Sequence, residues 1–130
     1  MKDTVLLDTH AWAWSLGDSR RLSEVARAAV AAAGMAAVSP VSVYEIAQKV
    51  GLGKWPEMEI LLPRLTQAVD AQGGLWADLT PEIAHLAGTL AWPHRDPFDR
   101  ILAATALVHG WVLVSADPVF DSLIGLRRIW

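Results

Sequence analysis

The chain has 130 residues, 53% of them hydrophobic, and no cysteine, so it is one domain's worth of sequence with apolar residues enough for a single sizeable core, and disulfide frameworks, thiolate zinc sites and cysteine nucleophiles are excluded. A formal net charge of −3 argues against binding nucleic acid through a broad basic surface, although acids gathered in one pocket around divalent cations would present a quite different local charge to a phosphate. The apolar run in the opening MKDTVLLDTHAW, edged by Asp3 and Asp8, and the alanine-rich stretch from Val25 to Gly34 are both too short for a signal peptide or a membrane span, so the expectation is a soluble cytoplasmic protein without membrane contact.

Taken in order, TVLLD (4–8) reads as a short apolar strand ending in a carboxylate, with a helix after Asp8 that carries Trp12 and Trp14. SEVARAAVAAAG (23–34) reads as a helix stopped by Gly34, and MAAVS (35–39) as a second strand. Ser39 as cap and Pro40 at the first helical position open a helix that ends near Gly51 or Gly53. EMEILLPRLTQAVDAQGG (57–74) predicts another helix with a kink or break at Pro63. LWADL (75–79) predicts a third strand, Thr80 and Pro81 start the next helix, and Asp96 and Pro97 start a long one closed by Gly110. WVLVS (111–115) is the fourth strand, Asp117 and Pro118 begin a short helix, and LRRIW (126–130) fits an edge strand. Strands alternating with capped helices predict an α/β domain over residues 1–130 with a mostly parallel sheet covered on both faces.

Within DPFDR, Asp96 fits an N-cap, Pro97 a first helical residue and Asp99 the third helical position, and helix capping alone would explain both aspartates. The wider pattern adds a chemical reading. Sites on open parallel sheets lie beyond the carboxyl ends of the strands. Asp8 closes the first strand, Asp99 lies in the first turn of its helix, Asp117 stands two residues after the fourth strand, and Glu45 is set to reach back from the helix after the second. Capping does not explain Asp8 or Glu45. Four carboxylates meeting at one rim would need protons or cations to offset their repulsion. Hard oxygen ligands select Mg²⁺ or Mn²⁺, and one or two such ions, roughly 3.5–4 Å apart when paired, can activate water against a phosphodiester.

LLDTHAWAW, SVYEIAQKVGLGK, HRDPFDRILAATA and LVSADPVFD, in this order over nearly the whole chain, resemble a PIN domain, specifically a VapC-type toxin of a type II toxin–antitoxin module. The resemblance implies a three-layer α/β/α sandwich around a short sheet and a metal-dependent endoribonuclease neutralised by a cognate antitoxin. It assigns Asp8, Glu45, Asp99 and Asp117 as catalytic, metal-holding acids. The first three would bind Mg²⁺ or Mn²⁺ directly, and Asp117 through water or a second ion. It also implies in-line hydrolysis leaving a 5′-phosphate and a 3′-hydroxyl. Asp96 is assigned mainly to capping. Thr9 and Ser115 either orient the attacking water or phosphate, or serve local structure.

Lys49 and Arg100 are candidate contacts for RNA or antitoxin, or else solvated helix ends or partners of neighbouring carboxylates, and Lys54 and Arg95 share that ambiguity. His10 and His94 lie beside the motifs without a metal-binding spacing, whereas His85 and His109 read as ordinary helix residues. Of the seven tryptophans, most read as packing, Trp76 and Trp111 among them. Trp12 and Trp14 are the candidates for antitoxin contact, and a homodimer is a further expectation from the family. Two other functions fit parts of the pattern. One is a catalytically silent PIN-like module that binds RNA or protein. The other is an aspartyl-nucleophile phosphatase, which DTH at residues 8–10 disfavours because a second aspartate two positions on is missing.

Overall fold

Chain order in the computed structural model, which describes residues 3–130, alternates strands and helices with Asp8, Ser39, Asp96 and Asp117 at the junctions. Among the described residues the strands are β1 (Thr4–Leu7), β2 (Met35–Val38), β3 (Leu75–Trp76), β4 (Val112–Val114) and β5 (Arg128–Ile129). The helices are α1 (Thr9–Gly17), α2 (Glu24–Ala32), α3 (Pro40–Gly51), α4 (Leu65–Ala71), α5 (Pro81–Thr89) and α6 (Pro97–His109). The sheet runs β3-β2-β1-β4-β5, and each neighbouring pair is parallel.

The period-2 alternation of the strands separates two cores. Val5, Leu7, Val38 and Val114 face one layer with Trp12, Ala26, Ile46, Leu65 and Val69. Leu6, Ala37 and Leu113 face the other with Leu102, Ala103, Ala106 and Phe120. Helix α5 packs on α6 through Ile83, Ala87 and Ala104. The result is the expected three-layer α/β/α sandwich, with strands apolar on both faces as buried parallel strands must be.

Local chemistry sets most boundaries. The side chains of Asp8, Ser23, Ser39, Thr80 and Asp96 each accept a backbone N–H from the first turn of the helix that follows. Proline stands at the start of α3, α5 and α6, where its missing N–H would have no helical partner. Gly110 ends α6 at φ +70°, a left-handed conformation that glycine adopts without steric penalty.

Several expected elements change. The helix over 57–74 breaks at Pro63 as expected, because Pro63 has no N–H for a helical bond and its ring crowds the preceding turn, but only α4 after the break is helical and 3-10 turns at Pro56–Met58 and Leu62–Arg64 stand before it. The third strand, expected over 75–79, is only Leu75–Trp76 at the sheet edge. Asp8 leaves its strand to become a helix cap, while Ser39 caps α3 as expected and lies just beyond the end of β2. Gly34 is not the stop of α2, which ends one residue earlier in extended Ala33, while the Gly34 N–H donates to the Asp3 carbonyl at 2.7 Å. Trp111 is only half-buried, stacked on His109 at 4.0 Å.

Arg100 has a role the sequence did not indicate. Its Nε donates to the Ala87 carbonyl at 2.8 Å, one terminal nitrogen to the Trp92 and His94 carbonyls at 2.8 and 2.9 Å, and the other to the Leu90 carbonyl at 2.8 Å. The expected contact of Arg100 with RNA or antitoxin is therefore corrected: its guanidinium ties the carbonyls at the end of α5 to the first turn of α6. Arg100→Ala is expected to lower stability by about 2 kcal/mol, since hydrogen bonds from a charged donor are lost and carbonyls are left without partners. Arg100→Lys should recover little of it, because one ammonium cannot reproduce a planar fork. Thermal melts followed by circular dichroism check both; an Arg100→Ala protein with an unchanged melt and weaker RNA binding would restore the original assignment.

Candidate active site

The strand order places β1 and β4 side by side while the connections leaving them run to opposite sides, which is the switch point where open α/β sheets bind ligands. At this edge a pocket of about 200 Å³ is lined by Asp8, Thr9, His10, Glu45, Lys49, Asp96, Asp99, Asp117 and Phe120. All four acids singled out from the sequence are among them. Each arrives by a separate route. Asp8 follows β1, Glu45 lies in the second turn of α3 after β2, Asp99 lies in the first turn of α6, and Asp117 follows β4. Glu45 reaches the rim because helical side chains tilt towards the helix N-terminus.

Asp8 and Glu45 are deeply set, at 8% and 5% exposure. Asp8 Oδ1 accepts the Ala11 N–H at 2.8 Å and so caps α1. Ser115, fully buried, accepts the Asp117 N–H at 3.1 Å. The Asp8 N–H donates to the Val114 carbonyl at 3.0 Å, which joins the end of β1 to the end of β4 beside that turn. Arg128 of β5 holds the Ser115 carbonyl at 3.0 Å while pairing with Asp121 through two hydrogen bonds of 2.8 and 2.9 Å. The Thr9 hydroxyl is shared with that of buried Ser42 at 2.9 Å, linking α1 to α3.

Asp96 and Asp99 divide the two tasks that the sequence left open between them. Asp96 Oδ1 accepts the N–H groups of Phe98 and Asp99 at 2.9 and 3.1 Å, which is the capping role. Asp99 turns instead into the pocket, where its Oδ2 lies 2.7 Å from His94 Nε2. Glu45 Oε2 lies 2.6 Å from Lys49 Nζ one helical turn on. Lys49 is therefore a resident cation of the pocket, with its ammonium 5.7 Å from the Trp55 ring centre. Asp117 Oδ1 caps the short turn after β4 by accepting the Val119 N–H at 2.9 Å.

The carboxylates influence one another. Burial raises the Asp8 carboxyl above the ordinary aspartate value, against the lowering effect of its hydrogen bonds from Ser115 and Ala11, and the Asp99 charge adds to the rise. Burial also raises Asp99, with the charges of Asp96 and Glu45 adding to it while His94 opposes. These are acids held close together with too little positive charge among them. As the side chains are turned here, no group of three or more His, Asp or Glu among the described residues is arranged to hold a metal ion. Each of three acids has a protein partner instead, Asp8 the Ala11 amide, Glu45 the Lys49 ammonium and Asp99 the His94 ring. The donor set itself, carboxylate oxygens without sulfur, suits a hard divalent cation.

A family model described as PIN domain matches residues 5–125. The chain belongs to the PIN domain family. A curated relative, Ribonuclease VapC22 of Mycobacterium tuberculosis, is 35% identical to this PIN domain over 117 residues, covering 88% of this chain and 87% of that protein. Solved structures similar to it include DNA-bound VapBC from Salmonella typhimurium, with a TM-score of 0.69, 18% identity and coverage of 99% of this chain and 98% of that one. Another is FitAcB from Neisseria gonorrhoeae, with a TM-score of 0.68, 19% identity and coverage of 97% and 96%. At those identities the likeness is one of fold.

Of the candidate residues in this PIN domain, Trp12 is corrected. It is fully buried, with its indole N–H donating to Gln72 Oε1 at 3.1 Å and its ring edge-on to Trp76, so it is core and cannot meet an antitoxin. Trp14 is half-buried among His10, Trp130 and Arg21. Sequence reading gave no role to His94, the partner of Asp99, or to Ser42, the partner of Thr9. His94 lies five residues before Asp99 across an irregular segment with no fixed periodicity, so its spacing carried no signal. Ser42 could have been found, since it precedes Glu45 by three positions and so shares a helix face with it.

Proposed function

We propose that this protein is a divalent-metal-dependent endoribonuclease, a VapC-type toxin held in check by a cognate antitoxin. The observation that carries the reading is the convergence of Asp8, Glu45, Asp96, Asp99 and Asp117 in one pocket at the switch point of the sheet. The 35% identity to a protein named as a ribonuclease supports it, and toxin–antitoxin complexes among the structures of similar fold point to the antitoxin.

Asp8, Glu45 and Asp99 would hold Mg²⁺ or Mn²⁺ directly, with Asp117 bound through water or to a second ion. A divalent cation at these oxygens would supply an activated water and neutralise charge developing on the phosphate. The chain's own residues prepare that chemistry. Ser115 holds the turn that carries Asp117, the Val114 carbonyl holds the Asp8 N–H, and Thr9 with Ser42 locks α1 to α3 so that Asp8 and Glu45 keep their spacing. His94 and Lys49 partner Asp99 and Glu45. Lys49 can transfer from Glu45 to an RNA phosphate once a cation takes its place.

Trp14 is the proposed antitoxin contact, and a homodimer is the proposed assembly. A cytoplasmic location belongs to the same proposal; among the described residues no helix is long and apolar enough to cross a membrane. The silent-module alternative draws on carboxylates turned onto protein partners. Incubating purified protein with total bacterial RNA, with Mg²⁺ or Mn²⁺ and with EDTA, separates the two. Metal-dependent fragments blocked by the antitoxin support the toxin, and a protein that neither binds metal nor cuts is the silent module.

A further inference from the structure

Tyr44 and Phe98 each stand one residue before a pocket carboxylate, Glu45 on α3 and Asp99 on α6. Their ring centres are 5.7 Å apart with planes inclined by 42°, so the two rings form one aromatic ridge across the gap between the helices. Tyr44 is 61% exposed. Among the described residues neither ring belongs to any of the three apolar clusters, although Val41, Val43 and Ile46 on the same helix do. Core packing therefore does not account for the pair.

Charge cannot do all the work of holding RNA at this pocket. The lining contributes five acids, and three nearby cations are engaged within the protein: Lys49 with Glu45, Arg100 with backbone carbonyls, and Arg128 with Asp121. Stacking on an aromatic face does not depend on charge, and it is a common way for proteins to hold unpaired bases. We propose that the Tyr44–Phe98 ridge is a stacking platform for an unpaired base of the RNA flanking the cleaved bond, so that the substrate is single-stranded there. This assignment rests on the ribonuclease reading.

The test is fluorescence anisotropy with a fluorescein-labelled, mixed-sequence single-stranded RNA of about 12 nucleotides, within the length range of single-strand sites, with Ca²⁺ replacing Mg²⁺ so that binding is read without turnover. Tyr44→Ala is expected to raise Kd about tenfold, within the range for losing one stacked base. Tyr44→Trp should bind like the wild type, and Phe98→Leu should weaken binding in the same direction as Tyr44→Ala. An abasic probe of equal length should bind wild type and Tyr44→Ala equally, because it has no base to stack. Tyr44→Ala should also melt like the wild type, given the exposure of the ring.

An unchanged Kd for Tyr44→Ala overturns the platform. The same holds if Tyr44→Ala alters the elution volume in size-exclusion chromatography while RNA binding stays constant, which would make the ridge a protein contact. Failure of the wild type to bind RNA with any divalent cation removes the ribonuclease reading and the platform with it, whereas a wild type that binds RNA and variants that bind it just as tightly remove only the platform.

Discussion

Asp99→Asn is expected to reduce metal-dependent RNA cleavage by on the order of a thousandfold or more while leaving the fold intact. The magnitude follows from the loss of a group that acts on the reacting charge in a pocket sheltered from water, where single contacts have effects of this order. The fold survives because Asp96, not Asp99, receives the N–H groups of the first turn of α6. The matching control is Asp96→Asn, which keeps an oxygen for the cap and should retain most activity. Cleavage assays with and without EDTA, alongside circular dichroism of each variant, provide the measurement. Equal loss in the two variants would mean that Asp96 is itself part of the chemistry, and full activity in Asp99→Asn would remove Asp99 from it.

The second large effect is on stability. Mg²⁺ or Mn²⁺ binding to the native carboxylates but not to the unfolded chain should stabilise the protein by about 2.7 kcal/mol at a free concentration of about one hundred times Kd, which is about 10 °C in Tm for a chain of this size. Without metal the same acids oppose folding. The carboxyls of Asp8 and Asp99 are raised by burial, so their cost to the native state is fully present above those raised values. It fades as the pH falls through them and is gone below the ordinary aspartate value near 3.8.

These two groups should therefore make the metal-free protein more stable on mild acidification from neutrality, while the increment from metal shrinks as protons compete for the same oxygens. Asp8→Asn keeps an oxygen for the Ala11 amide and removes the buried charge. It should melt higher than the wild type without metal and lose the response to metal. Differential scanning calorimetry across pH, with and without Mg²⁺, reads both effects. No shift with metal at neutral pH would mean that these acids hold no cation, and a lower melt for metal-free Asp8→Asn would mean that the buried Asp8 charge does not oppose folding.

Much of this protein was legible before its structure. The helix starts at Ser39, Thr80 and Asp96 follow from caps and prolines whose preferences act within one turn, and the central strands follow from short apolar runs. The motifs around Asp8, Glu45, Asp99 and Asp117 marked the acids now found in one pocket. The part of the 57–74 segment before Pro63 differs from the expected helix, since its apolar residues suit a helix while the chain there forms only 3-10 turns, each with a proline at its start.

Local sequence by itself determined where elements begin, which residues are apolar on both faces of the sheet, and that three acids stand at or within one turn of element ends with Glu45 one turn further into its helix. What it could not assign were the partners. Arg100 beside Asp99 could as well face solvent, RNA or the protein, and only the path of the chain from the end of α5 through the segment before α6 brings four carbonyls within its reach. Trp12 and Trp14 differ by two positions, which is about 200° around a helix, and the position of the sheet decided which of them is core. His94 reaches Asp99, and the Thr9 hydroxyl meets that of Ser42, through the crossing of segments that local preferences leave free. Hydrogen bonds are short-ranged and directional, so the partners of these side chains are decided only when tertiary packing brings distant parts of the chain together.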